Sequence, residues 1–117
     1  AAPNLAITKS VSPVPVTENG TLTYTFRIQN YGSVAATNTT GVVITDTFAP
    51  VLNNLTAALN GTAWTAATDY TYNEATGTFS STAGAITVPA ATYTQDSTTG
   101  AWVVTPGEST LVITGTV

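Results

Sequence analysis

Two side chains in this sequence stand out for the chemistry they could do together: Lys9, one of only two basic residues, and Asp46, one of six acidic ones. Strand alternation over residues 4–11 sets Leu5, Ile7, Lys9 and Val11 on one face, and alternation over residues 41–48 sets Val42, Ile44, Asp46 and Phe48 on another. An inward Lys and an inward Asp on neighbouring strands are costly to bury apart, so the two are expected to meet. Their meeting has two chemical outcomes, a buried or half-buried ion pair or an intramolecular isopeptide bond. Gram-positive pilin and adhesin domains that form such bonds use an Asn or Asp acceptor on a late strand, with an acid assisting. The late run here turns Leu111, Ile113, Gly115 and Val117 inward and offers no such acceptor, which favours the ion pair. In a third arrangement Lys9 snorkels outward along the sheet edge.

Little else in the chain could support catalysis. His and Cys are both absent, which removes the commonest general base, the commonest metal ligand and all thiolate chemistry. A Ser or Thr nucleophile would have only Lys9 and scattered carboxylates as its base, so no enzymatic activity, cofactor or metal is expected. Calcium needs converging oxygens, whereas these acids fall singly in different turns. Asp69 near Asn73, and Asp96 near Thr98 and Thr99, read as turn residues bonding their own backbone. Trp64, Trp102, Tyr70 and Tyr72 could form an aromatic contact surface for sugar rings, and Tyr70 and Tyr72 share a parity. Core packing is the competing use of such rings.

The elements that position these residues are strands. At 117 residues the chain is one domain, 1–117, and Thr makes up about a quarter of it, a composition suited to pleated surfaces. Charged residues are 7% against 43% hydrophobic, and the net charge is −4. Nucleic acid and anionic membrane surfaces are therefore expected to be poor partners, for want of a basic patch. No apolar run approaches the roughly 18 residues of a membrane span, so direct membrane insertion is not expected. No leader pattern opens the sequence, and a signal peptide or wall anchor is expected outside this segment.

Residues 21–29 alternate cleanly, with Leu22, Tyr24, Phe26 and Ile28 inward. Further strands are expected at 4–11, 41–48, 52–59, 69–73, 78–80, 85–88, 91–95, 102–105 and 111–117. Asn60-Gly61 and the Gly77-closed loop mark hairpins, Asp96 to Gly100 marks a turn, and Pro106-Gly107-Glu108 marks the last turn. Pro13 and Pro15 confine residues 12–17 to an edge or a crossing between sheets. With no sustained helical period, the expected fold is all-β, an immunoglobulin-like two-sheet Greek-key sandwich.

Four motifs occur in order: Ile7-Thr8-Lys9-Ser10-Val11-Ser12-Pro13, Asn19-Gly20-Thr21-Leu22-Thr23-Tyr24-Thr25-Phe26, Asn30-Tyr31-Gly32, and Val43-Ile44-Thr45-Asp46-Thr47-Phe48. The series resembles the bacterial surface repeat called domain of unknown function eleven. The stretch from Ala85 through Pro89 to Asp96 resembles variants from Gram-positive gut bacteria. This resemblance implies a secreted, cell-wall-attached or cell-surface location and a non-catalytic stalk or spacer role. It implies neighbouring repeats of the same polypeptide as partners. A host glycan or host protein as ligand of an adhesin module, and self-assembly into a filament, are the two alternative roles.

Overall fold

The computed structural model describes residues 2–117. Ten strands follow in chain order: β1 (Leu5–Ser12), β2 (Thr21–Asn30), β3 (Thr45–Thr47), β4 (Asn53–Leu59), β5 (Thr62–Ala63), β6 (Tyr70–Asn73), β7 (Thr78–Ser81), β8 (Thr92–Gln95), β9 (Trp102–Thr105) and β10 (Gly107–Thr116). No described residue is helical. One antiparallel sheet has the order β1-β2-β10-β4-β5, a second has the order β3-β7-β6, and β8 and β9 pair only with each other. The fold is all-β, in several antiparallel sheets consistent with a β-sandwich.

Alternation drives the larger sheet. On β2 the inward residues Leu22, Tyr24, Phe26 and Ile28 are all buried, and on β10 Leu111 and Ile113 are fully buried. They meet Phe79, Tyr70, Phe48, Leu52 and Ile86 in one core. Tyr24 and Phe48 pack with ring centroids 4.6 Å apart. The Asn60-Gly61 hairpin forms as its sequence requires, with φ positive at both residues (51° and 82°), as a tight two-residue turn demands.

Both terminal strands hang on β2. β1 pairs antiparallel with one edge of it from Leu5↔Asn30 to Ser12↔Thr23, and β10 with the other from Gly107↔Asn30 to Thr116↔Thr21. β1 and β10 therefore run parallel to each other. The chain enters the sheet at the Asn30 end and leaves it at the Thr21 end, where Val117 exchanges backbone bonds with Asn19 and Gly20.

Asn30 organises the entry pole. It is fully buried, and its Oδ1 accepts from the Asn4 and Gly32 N–H groups at 3.0 and 2.9 Å. Its Nδ2 donates to the carbonyls of Val34 (2.8 Å) and Pro89 (3.2 Å), so one amide joins the start of β1 to two loops.

Several expected strands are shorter or absent. Of residues 41–48 only Thr45–Thr47 forms a strand, because Gly41 has a positive φ and the Ser81 hydroxyl takes the Ile44 N–H in place of a backbone carbonyl. Residues 85–88 make a single bridge, Ala36↔Val88, which Pro89 ends. The turn expected at Pro106-Gly107-Glu108 is strand instead. Gly107 already pairs with Asn30 and lies so close to the Pro89 carbonyl that a Cβ would collide with it. Only Pro106 separates β9 from β10.

Asn30→Ala leaves two N–H groups and two carbonyls without partners around a buried site. It is expected to cost about 2–4 kcal/mol in urea unfolding. Tyr31→Ala, one residue along on an exposed side chain, should cost well under half of that.

Candidate functional site

β1 and β3 are edge strands of different sheets, and the side chains that bridge them are Lys9 and Asp46. Lys9 Nζ lies 2.5 Å from Asp46 Oδ2. The two residues belong to opposing sheets, and not to neighbouring strands of one sheet as the sequence suggested. Asp46 Oδ1 accepts from the Thr47 N–H at 2.8 Å. Oδ2 is sealed from solvent and has no partner at hydrogen-bond angles, so the Lys9 ammonium is the one group that offsets its burial. The same ammonium sits 4.9 Å from the centroid of the Tyr24 ring and 5.7 Å from that of Phe48, within range of cation–π attraction.

The pair is half-buried. Lys9 and Asp46 side chains are 43% and 21% exposed, and they line a cleft of about 420 Å³ with Ile7, Phe26, Val43 and Ile44. The exposure has a structural cause. Clefts separate β1 from residues 42–46, and its apolar parity of Leu5, Ile7 and Val11 is open to solvent. Lys9 and Asp46 stand here as an ion pair, and no further acid lines their cleft.

Of the four aromatic residues considered as a contact surface, Trp64, Tyr70 and Tyr72 pack in or against the core. Tyr70 is buried and stacks on Phe79, with Trp64 packed half-buried against its other side. Tyr72 accepts from the Leu52 N–H (3.0 Å) and donates to the Leu52 carbonyl (2.7 Å). Desolvation by burial raises the pKa of this hydroxyl. The shared parity of Tyr70 and Tyr72 was legible, but that face points into the core. Trp102 alone is open, 65% exposed, and it lies on the β8–β9 ribbon.

The ribbon has its own pattern. The pairs Tyr93↔Val104 and Gln95↔Trp102 share one face, which therefore carries Tyr93, Val104 and Trp102, all exposed. Thr92, Thr94, Val103 and Thr105 make the other face. Tyr93 Oη donates to the Tyr31 carbonyl at 2.9 Å, the link from the ribbon to the entry pole. At the ribbon tip Asp96 accepts from the Thr98 and Thr99 N–H groups, which hold its carboxyl below the usual carboxylate pKa. Asp69 likewise accepts from the Thr65 N–H. Among the described residues no group of three or more acids gathers to hold a metal ion.

No known protein family, curated protein or solved structure matches the chain.

Lys9→Met strands a sealed carboxylate oxygen and is expected to destabilise by about 1–3 kcal/mol, most of it recovered when Asp46→Leu is added. The intact mass of the folded chain should equal that of its sequence. A deficit of about 18 mass units would instead mean that Lys9 and Asp46 had condensed with loss of water.

Proposed function

We propose that this chain is a non-catalytic structural spacer, an immunoglobulin-like repeat strung with others of its kind in a bacterial cell-surface protein. The observation that carries the reading is the chain path. Strands β1 and β10 run parallel on either side of β2, so the polypeptide enters at one pole and leaves at the other. Copies joined in series would extend end to end without doubling back.

The same path suits tension. A pull on the two ends draws β1 and β10 in opposite directions along β2, loading the eight registered pairs of one ladder and the ten of the other in shear. Ladder hydrogen bonds lie across the strands, so sliding a strand must break many at once. The resemblance to domain-of-unknown-function-eleven repeats and the Thr-rich, lightly charged surface support a secreted, wall-attached or cell-surface setting. The missing His and Cys, and the scattered acids, support the absence of catalysis.

A second reading, a module binding host glycan or protein, is favoured by the open Trp102. Against it, Trp64, Tyr70 and Tyr72 pack in or against the core, so Trp102 is the one open ring of the four.

The test of the spacer reading is the length of linked copies. The strand rise of about 3.4 Å over the ten residues of β2 gives a body of roughly 34 Å, and the longest extent of the molecule is 55 Å. In X-ray scattering of two, three and four joined copies, the maximum dimension should grow by about 35–55 Å per copy. Growth well below that range, with copies packed side by side, would contradict the reading.

A further inference from the structure

We infer that the two poles of the chain are complementary, and that the β8–β9 ribbon of one copy docks on the exit pole of the copy before it. This rests on the spacer reading, which supplies the second copy and its head-to-tail order.

The ribbon is an unfinished element. A two-stranded hairpin is marginal in water on its own, and this one pairs with no other strand. It continues from β10 across the single residue Pro106 and projects from the pole where β1 begins. The longest extent of 55 Å, against roughly 34 Å for the ten-residue strands, fits a projection along that axis. One ribbon face exposes Trp102, Val104 and Tyr93 together, a concentration of apolar area that marks a contact surface more than ordinary surface scatter does.

The opposite pole offers the matching surface. Beyond the end of β1, Val14 is 74% exposed, the most open of the large apolar residues. It borders a small cleft of about 170 Å³ with Val11, Pro13, Val16, Ala49 and Pro50. The backbone there forms no strand, and two prolines lack donors, so the surface suits side-chain packing and not strand addition.

Charge and chain path choose a second copy as the occupant. The chain carries a net charge of −4, which opposes association of copies in most orientations. The two surfaces named here are uncharged: neither ribbon strand nor residues 10–17 contain an acid or a base. Docked this way, Glu18 and Asp96 flank the contact and do not lie in it. In a tandem chain the exit pole of one copy is followed directly by the entry pole of the next, so the docking surfaces face each other at an effective concentration of order millimolar. The contact would turn a loosely hinged joint into a stiff one.

The test uses two whole copies joined head to tail. Trp64→Phe in both and Trp102→Thr in the first leave the second copy's Trp102 as the sole indole. Its quenching by acrylamide should fall about twofold or more relative to the single chain carrying Trp64→Phe. Val14→Asp in the first copy should restore the single-chain value, with scattering still reporting an extended pair. If the pair is extended and Trp102 remains as open as in the single chain, the interface is overturned and the spacer reading stands. A pair folded side by side removes both.

Discussion

The rungs that join β2 to β1 on one side and to β10 on the other carry both ends of the chain, and the rest of the molecule is arranged around what β2 leaves uncovered. Its inward residues Leu22, Tyr24, Phe26 and Ile28 fix its own register, since a slip of β2 by one residue would turn all four to solvent. The three-stranded sheet packs on that inner face and ends at β3, where clefts leave β1 open on its apolar side. Lys9 and Asp46 tie the two edges together where strand pairing does not reach. Their bond is of modest intrinsic strength because both side chains are partly exposed. It matters through the sealed oxygen it would otherwise leave unpaired.

What could be read from the residues divides along the range of the interactions involved. The alternation of β2, the Asn60-Gly61 hairpin and the β6–β7 hairpin are local patterns, and they form where the sequence places them. The meeting of Lys9 with Asp46 was legible from parity alone, because two inward charges constrain one another. The sheet to which each belongs was not, since parity carries no information about topology. Residues 41–44 have strand-like composition, yet a side-chain hydroxyl from Ser81 replaces the ladder there. Gly107 carries a turn signature beside Pro106, but its lack of a side chain serves close passage of the Pro89 carbonyl. Tyr70 and Tyr72 share a face as expected, and only the packing of the second sheet decides that this face is inward. Asn30 was legible only as part of the Asn30-Tyr31-Gly32 motif, whereas its four partners lie on segments as distant as Pro89. An Asn closing a strand of strictly alternating apolar residues, at a position whose parity is inward, was the one available signal.

The two poles follow from the same construction. Asn30 fastens the loop at Pro89, and from that loop the chain runs out along β8 and returns along β9 into β10, so the ribbon is rooted in the network that starts β1. At the far pole Pro13 and Pro15 keep the chain out of the sheet and leave Val14 bare. The chain thus has one apolar projection and one apolar seat, at opposite ends of a body whose few charges lie elsewhere. Both features are liabilities in an isolated domain and useful in a linear array, where each would be covered by a neighbour.

The central claim is that the fold transmits tension through β2, and the most direct measurement compares directions of pull on one molecule. Attachment through the two ends loads β1 and β10 in shear along β2, whereas attachment through Ala2 and Tyr31, both at the entry pole, peels β1 away from β2 rung by rung. Single-molecule force spectroscopy should find the end-to-end unfolding force several times the peeling force. Equal forces in the two directions, or a weaker end-to-end response, would contradict the account.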